Sequence, residues 1–408
     1  MKDGHPPLLS AEEVWARMRK DAVPVTECEK VTLAQALSRV LAQDVRAPIT
    51  VPGFDNSAMD GYAFRAADAQ DRRELPLSLR VAAGDKPEAL APGTACRIFT
   101  GAPLPSGADT VVIQERCERR GDTLILPEQW TPHANVRRAG EDIRAGDVIL
   151  SDGQTLTPQA VGLAASCGFT EILARRRLRV AVLSTGDELR PAGSGPLREG
   201  QIYDSNRPML NALLMRLGCE IHAAGALGDD LARTRQALRE AAQTADVIVT
   251  TGGVSVGEED HVKAAVEAEG TLSLWRVAIK PGKPLAFGRV GGAHFLGLPG
   301  NPVSAFVTFV LFVQPFLKAL MGATPTDLRA FPVHAGFERK TPDSRREFVR
   351  ARLVTRDDGA LWTHTHPRQS SGVLSSTVWA EGLVDIAAGR CVAEGDLVPF
   401  LPFEGVLD

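Results

Sequence analysis

The sequence contains no CxxC pair, and its six cysteines (Cys28, Cys96, Cys117, Cys167, Cys219 and Cys391) are scattered. Isolated thiols make neither a zinc knuckle nor a disulfide framework, so they read as reduced cysteines in or near cores. Histidine is also scarce. His364 and His366 flank Thr365, but no third His or Cys lies close in sequence, which leaves no zinc site to expect. There is no basic excess: the formal net charge is −4 and the pI about 6.1, whereas nucleic-acid binders usually carry a positive surplus. The first ten residues, MKDGHPPLLS, lack an apolar leader region, so a cytoplasmic location is expected. No long apolar run is unbroken. The most apolar stretch, Pro302 to Gly322, is interrupted by Gln314, Pro315 and Lys318, and it reads as a buried core helix rather than a membrane span. Two phosphate signatures fail as well. Gly282-Lys283 has no glycine at Val277 and is followed by Pro284, while Gly193-Ser194-Gly195 breaks at Arg198. These failures exclude a standard P-loop and a standard dinucleotide fold, and no GxSxG elbow occurs.

What is present begins with length. A chain of 408 residues has room for roughly two to four domains. Ser10-Ala11-Glu12-Glu13 is a capping box that opens a helix, and Thr32 to Gln43 has helical apolar spacing. From Val51 to about Leu150 the texture changes to short β-type runs, RVAA, CRIFT, DTVVIQE and TLIL, split by Gly, Pro and Asp. Thr157-Pro158 then opens a further helix, with Thr as N-cap and Pro at the first helical position. That helix is expected to return to the N-terminal segment, which makes the β module an insertion. From Arg179 to Gly322 strands and helices alternate, as in a doubly wound parallel sheet. Beyond Pro325 the chain is β-like again.

Ligands of doubly wound sheets bind beyond the carboxyl ends of the strands, and polar loops fall at those ends. VAVLS ends in Thr185-Gly186-Asp187-Glu188, IHAAGAL in Gly228-Asp229-Asp230, DVIVT in TTGGVSVGEED, and HFLGL in Pro299-Gly300-Asn301-Pro302. Gly252 and Gly253 let a backbone approach a ligand closely, and the helix that follows offers free N–H groups. Glu258 and Glu259 read as ordinary first-turn carboxylates. Asp260 is either another of these or a ligand. In AIKPGKPLAFG, prolines stiffen a turn that carries Lys280 and Lys283. A basic loop beside acidic loops suits a metal–phosphate site, in which cations hold the anion and carboxylates hold Mg²⁺.

The segments PGFDNSAMDGYAFRAAD, RIFTGAPLPSGADTVVIQE, RRAGEDIRAGD, VAVLSTGDEL, IYDSNRPML, TTGGVSVGEED, AIKPGKPLAFG and GLPGNPVSAF occur in that order. Together, from about Pro52 to Val307, they resemble the molybdopterin molybdenumtransferase (MoeA) family, which includes the E domain of gephyrin-type proteins. The resemblance implies a multidomain α/β plus β architecture: a helical stalk from 1–50 and 151–177, an inserted β-rich domain at 51–150, a molybdopterin-binding α/β domain at 178–326 and a C-terminal β domain at 327–408. It also implies a homodimeric transferase that takes adenylylated molybdopterin and molybdate, cleaves the pyrophosphate bond with Mg²⁺, and releases AMP with the molybdenum cofactor. The adenylyltransferase of the preceding step and cofactor-accepting molybdoenzymes are the implied protein contacts.

By motif match, Asp60, Asp142, Glu188, Asp229 and Asp260 are the implied functional acids, with Asp229 and Asp260 assigned to metal or to the attacking water. Lys280, Lys283, Ser304, Arg350 and Ser371 are the implied ligands of molybdate or phosphate. Gly252, Gly253 and Ser255 face the substrate, and Thr100, Pro299 and Pro302 shape the pocket. Because these acids come from different domains, the site is expected to span a dimer interface. Two departures stand out: Arg276 occupies a position where many relatives carry Lys, and RQSSGVLSS around Ser371 matches loosely. Two rival readings are a gephyrin-like scaffold and a molybdopterin adenylyltransferase. The first normally has extra domains, and the second is about the size of the central unit alone.

Overall fold

A computed structural model describes residues 8–228, 230–253, 261–326 and 328–406. The helix Ala11–Asp21 starts at the capping box. The Ser10 hydroxyl accepts from the Glu13 N–H at 3.1 Å, and the Glu13 carboxylate accepts from the Ser10 N–H at 2.7 Å. This helix buries Val14 and Met18 in the central core. The helical spacing of Thr32–Gln43 is overridden. Only a 3₁₀ turn forms at Leu33–Gln35, after which Val40 bridges Thr155 and Leu41 bridges Ala174. The apolar residues of this stretch, Ala36 and Leu41 among them, pack against Ala160 and Ala164 of the helix Pro158–Ser166; tertiary packing outweighs a weak local propensity.

The chain then leaves this unit and comes back to it. Cys28–Thr32 pairs antiparallel with Glu171–Arg175, and Val45–Arg46 with Val148–Leu150. Between these ribbons lies a β module with its own six-stranded sheet, in the order Thr110–Ile113, Gly61–Phe64, Ala95–Ile98, Glu74–Val81, Thr123–Ile125, Glu118–Arg120. Its central strands are buried on both faces, and successive residues feed two small cores around Phe64 and Ile98.

The central sheet has six strands, in the order Glu220–Leu227, Arg179–Thr185, Val247–Thr251, Ala293–Leu298, Pro284–Val290, Gly270–Arg276. The first four are parallel; Pro284–Val290 runs antiparallel to them, and Gly270–Arg276, antiparallel to Pro284–Val290, returns to their direction. The sheet is therefore mixed, where alternation alone predicts a parallel one. Short connections are the cause: Gly291-Gly292 is a two-residue turn, too short for a crossover. The strand order reverses between Arg179–Thr185 and Val247–Thr251, and such a switch point opens a crevice.

The apolar stretch forms Pro302–Thr308, a π-helical segment Phe309–Val313, and Gln314–Leu320. Pro315, which lacks an N–H, sits just after the widened turn. Among the described residues this is the one helix long and apolar enough to cross a membrane, and 83% of it is buried inside the protein.

Five strands, Phe331–Ala335, Arg346–Thr355, Leu361–Thr365, Gly382–Ile386 and Leu397–Pro402, close into a barrel, because Arg346–Thr355 pairs with strands on both sides. Ile279–Lys280, from the central unit, adds in parallel to Arg346–Glu347 at the barrel's rim. Phe348, Leu383 and Leu401 of the barrel join the same hydrophobic cluster as Phe309, Phe312 and Met18. The barrel and the central sheet therefore share a core, and the position of one fixes the other.

Candidate active site

A cleft of about 1110 Å³ opens where the central sheet's strands end and the barrel begins. Thr185, Thr251 and Pro299 mark its floor. Gly252 and Gly253 turn the chain at φ 87° and 61°, conformations that disfavour any side chain. A Cβ on Gly252 would stand 2.7 Å from the Thr185 carbonyl oxygen, so glycine lets the two strand ends lie against each other.

Asn206 ties the floor together. Its Nδ2 donates to Thr251 Oγ1 at 2.8 Å and to the Gly300 carbonyl at 2.7 Å. Because a carbonyl can only accept, the amide orientation is fixed. Asp204, 3% exposed, accepts from Ser184 Oγ at 2.6 Å and from Arg207 Nε at 3.0 Å. The far wall comes from the barrel. The Ser371 carbonyl accepts from the Val303 N–H at 3.0 Å, which joins the barrel loop to the first turn of the Pro302–Thr308 helix.

The cleft gathers Glu188, Gly252, Gly253, Lys280, Lys283, Pro299, Pro302, Ser304 and Ser371 from the expected set. The two lysines differ. Lys280 Nζ is held by Glu347 at 2.7 Å and Asp343 at 3.0 Å; these contacts, the Glu347 hydrogen bond first, raise its pKa above the usual lysine value. Lys283 has no ion-pair partner among the described residues and lines the cleft as an unneutralised cation. Glu188 is exposed at the end of the Arg179–Thr185 strand.

Arg350 does not reach the cleft surface. It is 1% exposed, and its guanidinium donates from Nε to Ser376 Oγ at 3.1 Å and from Nη2 to the Ser370 carbonyl at 3.2 Å. Burial pulls its pKa down to about 10. It braces the Ser370–Ser371 wall from behind: its neighbours Val349 and Ala351 point into the barrel core, so Arg350 faces outward, toward the helix Ser375–Trp379.

Asp60, Thr100 and Asp142 lie on the β module and do not line the cleft. Asp60 and Thr100 meet each other: Asp60 Oδ1 accepts from the Thr100 N–H and Oγ1, both at 2.8 Å. These bonds, the backbone one first, hold the Asp60 pKa below the usual carboxylate value. Asp142 is exposed. Arg138 reaches Asp55 at 2.6 Å, while Glu141 accepts from the Arg138 backbone.

Asp229, Ser255 and Asp260 lie outside the described residues. Among the described residues no group of three or more His, Cys, Asp or Glu side chains could hold a metal ion. Sequence reasoning missed Asp204, Asn206, Arg345 and Gln369, all at the cleft. The first two belong to the segment IYDSNRPML, so a signal existed. Arg345 and Gln369 come from the barrel; Gln369 sits in the loosely matching RQSSGVLSS, and nothing local marks Arg345.

Family models match along the chain: "MoeA N-terminal region (domain I and II)" over residues 9–168, "Probable molybdopterin binding domain" over 181–319, and "MoeA C-terminal region (domain IV)" over 332–403. A Haemophilus influenzae protein named molybdopterin molybdenumtransferase is 40% identical over 98% of this chain and 100% of its own length. Molybdopterin molybdenumtransferase 2 of Mycobacterium tuberculosis is 39% identical over 92% of this chain and 94% of its own. The crystal structure of the molybdopterin biosynthesis MoeA protein from Pyrococcus horikoshii superposes with a TM-score of 0.80 at 28% identity, covering 97% of this chain and 99% of that one.

Proposed function

The chain belongs to the molybdopterin molybdenumtransferase (MoeA) family, and from that premise we propose the reaction carried out in its cleft. It is a molybdotransferase of molybdenum cofactor biosynthesis. The substrates we infer are adenylylated molybdopterin and molybdate. Water cleaves the pyrophosphate bond, AMP leaves, and molybdenum passes to the dithiolene.

The observation that carries this reading is that Lys283, with no ion-pair partner among the described residues, shares one cleft with the Gly252-Gly253 turn. A pyrophosphate and a molybdate are both anions, and preorganised cations and backbone donors favour them. Ser304 and Ser371 add hydroxyls on two sides of the same space. Glu188 is the exposed carboxylate suited to direct a water molecule.

Mg²⁺ is part of the proposal; when bound it would neutralise phosphate oxygens and polarise water. The described residues alone do not make a metal cage, so the requirement rests on Asp229 and Asp260. Asp60, Thr100 and Asp142 are proposed to complete the cleft of a second copy in a homodimer, because they are placed away from the cleft of their own chain. The cytoplasmic location belongs to the same reading.

The test is direct. Purified protein is mixed with adenylylated molybdopterin, molybdate and Mg²⁺, and AMP is measured by chromatography. AMP should appear, stop when EDTA is added, and resume with excess Mg²⁺. AMP no higher than in a metal-free control would sink the proposal.

A further inference from the structure

A chain of alternating charges runs from the barrel into the cleft. Arg339 donates to both oxygens of Glu347, and Glu347 holds Lys280 at 2.7 Å. Lys280 also reaches Asp343 at 3.0 Å, and Asp343 receives a forked pair from Arg345, Nε to Oδ1 at 3.1 Å and Nη2 to Oδ2 at 3.2 Å. The Arg345 backbone N–H adds a bond to Asp343 Oδ1 at 3.0 Å. Lys280 and Arg345 line the cleft; Asp343 and Glu347 do not. The acids therefore stand behind and the cations in front.

This order has a physical meaning. A long arginine loses much rotamer entropy when a ligand fixes it. A bidentate carboxylate fixes it beforehand, so less is lost on binding. Asp343 occupies one edge of the guanidinium, and the Nη1 side is left for another acceptor. Arg345 is 29% exposed and Asp343 19%, so the pair is partly shielded while its front still reaches solvent in the cleft. Lys280 is held by two carboxylates and Arg345 by one, which leaves the Nη1 side of Arg345 facing the same cleft as Lys283.

We propose that Arg345 is a further oxyanion-binding residue of the cleft, with Asp343 as its positioning residue. The ligand class is a tetrahedral oxyanion, which the substrate can supply as phosphate or the co-substrate as molybdate. A planar fork matches either geometry. The inference rests on the functional reading given above.

Calorimetric titration of the full-length protein tests it, with inorganic pyrophosphate in one arm and molybdate in the other. Arg345→Gln should weaken at least one of them by about tenfold or more, as expected for a lost charge-assisted pair. The arm that weakens identifies the source. Arg345→Lys should not restore the affinity, because a point charge lacks the fork. Asp343→Asn should weaken the same arm by a smaller factor at an unchanged melting temperature. Most of its effect should vanish in the Arg345→Gln background, because three of its bonds go to Arg345 and one to Lys280. Unchanged binding by Arg345→Gln overturns the assignment. Tighter binding by Asp343→Asn overturns the positioning role, because it would make Asp343 a competing counter-ion. Failure of the wild type to bind either anion would overturn the functional reading itself, and this inference with it.

Discussion

Lys280 and Lys283 stand three apart on one turn and are equivalent on paper. The fold separates their roles: Lys280 is engaged by Glu347 and Asp343, and Lys283 faces the cleft. His294 shows the same dependence on surroundings. It is 6% exposed, lies between the rings of Phe287 and Phe316, and has Arg289 Nη2 at 3.2 Å from its Nε2. Its Nδ1 has no partner among the described residues. Burial first, and Arg289 second, pull its pKa down to about 4, while Asp21 and Asp246 act weakly the other way. A histidine with an ordinary pKa in the unfolded chain binds a proton there before it does in the fold. Its contribution is therefore complete above about pH 6.5 and is lost as pH falls toward 4. The loss is up to about 3 kcal/mol. In urea titrations at pH 7.5 and pH 4.5, His294→Phe should lose less stability between the two than the wild type does. An unchanged difference would assign the acid sensitivity to other groups.

At the scale of elements, backbone geometry makes the site. Gly252 adopts φ 87° beside the Thr185 carbonyl. Gly252→Ala should destabilise the protein by about 1–2 kcal/mol. It should also weaken pyrophosphate binding more than that loss suggests, because the turn that forms the cleft floor must shift. Thermal unfolding and calorimetry read the two effects separately, and a variant with full affinity would show that the turn tolerates a side chain. The short strand Ile279–Lys280 matters for the same reason. It is built into the barrel's sheet in register with Arg346 and Glu347. The lysine turn is thereby anchored to a second structural unit, which the pattern KPGK does not reveal.

At the scale of the whole molecule, the expected residues that are described, the buried Arg350 apart, divide into two groups. One lines the cleft between sheet and barrel; the other, Asp60, Thr100 and Asp142, sits on the β module. If a homodimer brings these groups together, two inactive variants should complement each other. Asp60→Asn and Glu188→Gln should each be nearly inactive alone. After equal amounts are mixed, unfolded and refolded together, about a quarter of wild-type AMP release should return, since half the dimers would hold one intact site of two. No recovery, with mixed dimers present by mass spectrometry, would place both residues in one chain's site.

Much was legible without coordinates. The capping box of Ser10 and Glu13, the Thr157-Pro158 helix start, the alternation of strands and helices, and the polar loops at strand ends all follow from local rules of spacing and turn chemistry. These rules act over a few residues, so the sequence carries them in full. Other features depend on contacts between distant segments. Thr32–Gln43 gives up its helical spacing to pack against Ala160 and Ala164. Pro284–Val290 runs against the other strands of the central sheet because its turn to the next strand is short. Arg350 is buried behind the wall it was expected to line, and Arg345, unmarked by any motif, faces the cleft instead. Which side of a strand meets a cleft, and which carboxylate stands behind which cation, is set by packing between units far apart in the chain, and only the tertiary structure decides it.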